Sequence, residues 1–116
     1  MRRRSIAGAA ATAALLLLAH GCASVQLPAV DGRLIEAART AGVGVESLER
    51  GHRVMVTACS ACHRPVHPGA ITLDRWDEEL PDMVAKARLT AADGAAIRAY
   101  VVAVRSVAPA AGPEPR

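Results

Sequence analysis

Cys59-Ser60-Ala61-Cys62-His63 decides how this chain is read. It is a C-x-x-C-H run, the attachment signature of a c-type haem. Two thiols three positions apart reach the two vinyl groups of one porphyrin and form thioethers with them, and the histidine that follows at once is set under the iron as its proximal ligand. A bare C-x-x-C is less specific, because zinc sites and dithiol redox sites use it too. A structural zinc wants four ligands, and no second cysteine pair exists here. A thioredoxin-like dithiol wants a strand-helix context before the motif, whereas the residues before Cys59 read as a helix.

The motif implies export, and the start of the chain agrees with it. Arg2-Arg3-Arg4 form a basic n-region and Ile6 to Ala19 are almost wholly apolar. That run is short of the about 20 residues that span a bilayer, so residues 1–21 read as a signal peptide rather than a transmembrane anchor. Its end, Leu18-Ala19-His20-Gly21-Cys22, resembles the lipobox of bacterial lipoproteins, in which the cysteine becomes the lipidated N-terminus. His20 departs from that pattern, and plain cleavage after Ala19-His20-Gly21 is the competing reading. Haem attachment takes up Cys59 and Cys62, and lipidation of Cys22 removes the remaining free thiol from an oxidising compartment. The expected location is the periplasm, with a lipid anchor at Cys22 holding the protein to a membrane.

Charge then falls into place. The full chain carries 14 Lys and Arg against 11 Asp and Glu, with a pI near 9.1. Three of those basic residues lie in the signal peptide, so the remainder has 11 of each sign. The basic pI belongs to the leader and is no sign of nucleic-acid binding.

At 116 residues the chain allows one small domain. Residues 22–43 mix Pro, Gly and Ala with scattered charge and read mainly as a tether, within which Gly32 to Thr40 has the makings of a short helix. Residues 44–107 are the folding unit, and 108–116, with three Pro and one Gly, read as a disordered tail. Three main helices are expected. The first runs from Val45 to Ala58, with Leu48, Gly51 and Met55 on one face. The second follows an N-cap at Thr72 and carries Leu73, Trp76, Leu80 and Met83, with Pro81 expected to cause a break or kink near Leu80 and a new helix to start at Pro81 or Asp82. The third runs from Ala91 to Val104, capped by Thr90 and Asp93, with Ile97, Tyr100, Val101 and Val104 as its apolar stripe. Aromatics are scarce (Trp76, Tyr100 and no Phe), and a unit this small is marginal without a staple; a covalently held haem supplies an apolar body to pack around.

These residues resemble a small bacterial monohaem cytochrome c domain. In that family a glycine lies eight positions before the first motif cysteine, an aromatic four positions before it, and the C-terminal helix carries an apolar residue followed three positions later by an aromatic. Gly51, Met55, Ile97 and Tyr100 occupy those places, with Met55 departing from the usual aromatic. The resemblance covers about 60 residues, Val45 to Arg105. It implies an all-α domain wrapped around one covalent haem c, with the first and last helices crossing closely at the glycine.

The resemblance also implies a sixth iron ligand. The family commonly uses a methionine on a downstream segment, and Met83, 20 residues past His63, is the only methionine after the motif. His67 is a poor rival, since four residues stiffened by Pro65 and Pro68 leave it little reach to the opposite haem face; His52, beside Gly51, is expected to face solvent. Trp76, Pro68 and Tyr100 are expected to pack about the haem, Trp76 against the porphyrin or with its indole N–H on a propionate. A carbonyl of Pro65 or Pro68 is the expected acceptor for the other ring nitrogen of His63, and Arg64 is a candidate propionate partner. Asp74, Asp77, Glu78, Glu79 and Asp82 form either a solvated face or a docking patch for a basic partner.

The implied function is single-electron transfer to and from a redox partner protein or a membrane oxidoreductase, with no enzymatic residue set. The alternative is a five-coordinate haem protein that binds a small gas or peroxide, which requires that Met83 not ligate.

Overall fold

The computed structural model describes residues 26–107. The expected signal peptide, Cys22 and the expected tail at 108–116 lie outside the described residues. Within them the chain is all-α, with four helices and no strand.

Helix α1, Gly32–Thr40, starts where the Asp31 carboxylate accepts the Leu34 N–H at 2.9 Å. It stops at Gly42, whose φ of +74° is the left-handed conformation a glycine adopts freely; the Gly42 and Val43 N–H groups close the helix end on the carbonyls of Arg39 and Ala38. Leu34 and Ala38 are buried, so α1 packs into the core. Ahead of it, the Tyr100 hydroxyl donates to the Pro28 carbonyl oxygen at 2.6 Å. The tether expected over 22–43 therefore gives way, over its described part, to a strap and a helix folded onto the domain. The reason is the spacing of Leu34 and Ala38, which puts two apolar side chains on one helical face.

Helix α2, Val45–Thr57, buries Leu48, Gly51 and Met55 along one stripe and runs into a 3-10 turn at Cys59–Ala61. Helix α3, Leu73–Lys86, begins at Thr72, whose hydroxyl accepts the Arg75 N–H at 3.2 Å. Pro81 does not break it: the helix is continuous through the proline. Proline removes the donor for the Asp77 carbonyl, but Asp77 and Pro81 are both exposed, where water substitutes, while Trp76 and Leu80 hold the opposite face in the core. Helix α4, Ala91–Val107, opens with a reciprocal capping box: the Asp93 N–H donates to the Thr90 hydroxyl at 3.1 Å, and the Thr90 N–H donates to the Asp93 carboxylate at 3.0 Å.

The core is the meeting of α2 and α4. A Cβ built on Gly51 would stand 2.0 Å from the Ala96 carbonyl oxygen and 2.8 Å from the Tyr100 Cβ. Only a residue without a side chain lets the two backbones come so near. Around this crossing Leu48, Met55, Ile97, Tyr100, Val101 and Val104 are fully buried, with Trp76 and Leu80 of α3 closing one side. No helix among the described residues is long and apolar enough to cross a membrane.

Candidate functional site

The C-terminal ends of α2 and α3 leave a cleft of about 120 Å³ between them. It is lined by Ala58, Cys59, Cys62, His63, Met83, Lys86 and Ala87. The first four come from the turn after α2 and the rest from the last turn of α3 and its cap. Residues more than 20 positions apart in sequence thus share one pocket, whose walls are alanine methyls, two thiols and a thioether. Lys86 is the only charged side chain on it, and its ammonium is paired with Asp82 at 2.6 Å.

Each donor is held in a definite way. Cys59 is half-buried and Cys62 exposed, both as free thiols. Burial, and then the neighbouring Cys62 thiolate, push the Cys59 thiol above its ordinary range. Cys59 also stands at the C-terminal end of α2, where the helix dipole disfavours a thiolate. A dithiol oxidoreductase needs the reverse, a thiol whose ionisation is eased. His63 is exposed, and its Nδ1–H donates to the Arg64 carbonyl oxygen at 2.7 Å. Because a carbonyl only accepts, that bond puts the proton on Nδ1 and leaves the Nε2 lone pair open for a metal. Met83 is partly buried on the cleft wall.

The acceptor for His63 is therefore Arg64, not Pro65 or Pro68. The Pro68 carbonyl is taken twice, by the Trp76 indole N–H at 3.0 Å and by Arg105 Nη1 at 3.1 Å. This also spends the Trp76 donor that was expected on a propionate. Trp76, Pro68 and Tyr100, expected about the haem, stand in the protein core and line none of the cleft. The other histidines are elsewhere too. His52 leans on the Tyr100 ring with centroids 5.3 Å apart, so it is partly covered rather than facing solvent. His67 lines a separate cavity with Pro28, Asp31, Leu34 and Val104, its Nδ1 accepting the Gly69 N–H at 3.0 Å.

The acidic run on α3 is not a bare patch. Glu78 and Glu79 pair with Arg75 at 3.4 and 2.8 Å, Asp82 with Lys86, and Asp77 accepts from Nε and Nη2 along one edge of the Arg98 guanidinium at 2.6 and 2.9 Å. Most of its charge is cancelled at home, which favours the solvated-face reading.

A c-type haem fits this donor set. The two cysteines, an imidazole with Nε2 open and a thioether line one apolar cleft, which is what covalent attachment and axial ligation ask of a protein. The cleft is smaller than a whole porphyrin, and its outer wall is the exposed turn that carries Cys62 and His63. A structural zinc fits less well: it takes four ligands, and among the described residues Cys59, Cys62 and His63 are not drawn together, nor joined by a fourth side chain, as a group that could hold a metal ion. Sequence reasoning singles out Cys59, Cys62, His63 and Met83, and the structure brings these four to one cleft. That reasoning missed Ala58 and Ala87, which carry no signal beyond their places at helix ends, and it missed Arg105.

No family model, curated protein or solved structure matches the chain.

Proposed function

We propose that this protein is an exported, periplasmic electron-transfer protein of the cytochrome c type, holding one covalent haem c and anchored to a membrane by lipid at Cys22. The observation that carries the reading is the sharing of one apolar cleft by Cys59, Cys62, His63 and Met83. Nothing about chain proximity requires Met83, on another helix, to face the motif.

A haem bound there supplies one reversible electron. The remaining tasks fall to the chain. Cys59 and Cys62 would hold the group through thioethers, their thiols being the two attachment points, so that it would be fixed without a tight pocket. His63 offers Nε2 to the iron while the Arg64 carbonyl holds its Nδ1 proton and so its tautomer. Met83 offers the soft thioether that, paired with histidine, raises the potential relative to two histidines. Ala58 and Ala87 exclude water from one flank. The exposure of Cys62 and His63 leaves that edge accessible to a partner, so electrons need only a small, transient contact.

The test is a visible spectrum of protein exported from cells able to mature c-type haem, taken oxidised and reduced, for the native chain and for Met83→Ala. Sharp ferrous α and β bands, with a weak ferric band at the red end lost in the variant, are expected. A high-spin spectrum that the substitution leaves unchanged would replace this reading with gas or peroxide binding, and a colourless protein would end it.

A further inference from the structure

The segment joining His63 to α3 has no regular secondary structure, yet its backbone is tied down at several points. Pro68 is fully buried. Its carbonyl oxygen accepts from Trp76 Nε1 at 3.0 Å and from Arg105 Nη1 at 3.1 Å. The same Arg105 nitrogen donates to the Ile71 carbonyl oxygen. The Ala70 N–H closes a turn on the His67 carbonyl at 2.8 Å, and the Gly69 N–H is held by His67 Nδ1. Arg105 is the only member of this buckle that comes from α4, where it is half-buried beside the fully buried Val104 and one turn from the buried Val101. A guanidinium in such surroundings is costly unless its donors are used. Here one Nη1 spans two carbonyls three residues apart.

We infer that Arg105 is a positioning residue for the haem site: from α4 it locks the 64–72 connector, and so fixes where the His63 turn stands relative to the helix that carries Met83. The inference rests on the electron-transfer reading above. It acts through geometry. The connector is the covalent link between the His63 turn and the helix that carries Met83, and its ends are His63 and the Thr72 cap of α3. If the connector slackens, the His63 turn and the Met83 wall drift apart before α2 and α4 separate, because the α2–α4 crossing is built from other residues. The native clamp makes ligation and folding a single event.

The experiment compares the native haem protein with Arg105→Met and Arg105→Lys during urea unfolding, following the red-end ferric band of methionine ligation and the far-ultraviolet helix signal together. In the native protein the two midpoints are expected to coincide. In R105M the ferric band is expected to vanish at a urea concentration lower than the helix midpoint by roughly half a molar, a gap that the transition slopes of small domains resolve. R105K, which keeps the charge and can still reach one carbonyl, is expected to show a smaller gap. Exchange of the Ala70 amide, read alongside that of Val101 in α4, is expected to quicken in R105M while Val101 is unchanged. Coincident midpoints in R105M with native Ala70 exchange would overturn the inference. If R105M does not accumulate, R105K decides alone, and coincident midpoints in it would overturn the inference equally. A native protein without the ferric band would defeat the electron-transfer reading instead, and Ala70 exchange would then still report whether Arg105 holds the connector.

Discussion

Gly51 lies against the Ala96 carbonyl so closely that a Cβ at position 51 would come within 2.0 Å of its oxygen. The obstacle is backbone, not a side chain that can swing aside. Gly51→Val is expected to destabilise the domain by about 1–3 kcal/mol or more, as overpacking does, since α2 and α4 must part to admit it. Gly32→Ala, which opens into empty space on α1, is the control and is expected not to lower the urea midpoint. Denaturation curves for both variants check this.

Arg88 is the one described non-glycine residue with a positive φ, at 54°. It sits past the end of α3, where the Arg88 and Leu89 N–H groups close on the Ala85 and Val84 carbonyls, a helix stop that glycine favours. A side chain there costs about 1–2 kcal/mol, part of which glycine gives back through its greater freedom when unfolded. Arg88→Gly is expected to raise stability by about 0.5–1 kcal/mol, measured as an upward shift of the melting temperature.

Tyr100 is fully buried with its hydroxyl on the Pro28 carbonyl. Burial pushes its ionisation well above the ordinary value of 10.0. A folded value raised above the unfolded one gives stability that is complete below pH 10 and falls as pH climbs beyond it. Tyr100→Phe is expected to cost about 1–2 kcal/mol at neutral pH, because the Pro28 carbonyl loses its donor. It is also expected to flatten the alkaline decline. Urea midpoints at pH 7 and at pH 11 measure both effects.

Asp93 behaves in the opposite sense. Hydrogen bonds from the Thr90 hydroxyl and backbone N–H, and then from Arg50 at 2.9 Å, hold its carboxyl down to about 2. A folded value depressed below the unfolded 3.8 gives stability that is present above pH 4 and is lost as pH falls toward 2. Asp93→Ala is therefore expected to lower the melting temperature at pH 7. Its deficit relative to the native chain should shrink to little at pH 2. A deficit that does not change with pH would mean that the ionised carboxylate is not responsible.

The helices were legible because their signals are local. Thr72, and Thr90 with Asp93, announce helix starts by residue type, and Leu48, Gly51, Met55, Ile97 and Tyr100 declare their faces by spacing. Met83 could be placed near the motif only through a family resemblance, because nothing local says which way a methionine on an amphipathic helix will turn. Pro81 misled for a related reason. Its propensity is read from one residue, while its tolerance depends on Trp76 and Leu80 being buried on the far side. Pro28 and Arg105 were invisible: each acts through a hydrogen bond across more than 30 residues, from positions whose type foretells no partner.

With Pro28 bound to Tyr100 and α1 seated in the core, little slack is left between Cys22 and the domain. The six residue steps from Cys22 to the tie at Pro28 extend about 21 Å at most. A protein lipidated at Cys22 would thus ride at a nearly fixed altitude over its bilayer, turning about a short stalk rather than sweeping a wide volume. Its traffic in electrons would be confined to neighbours in the same membrane whose own redox centres open at that low height, and a longer linker spliced in before Gln26 would widen the choice.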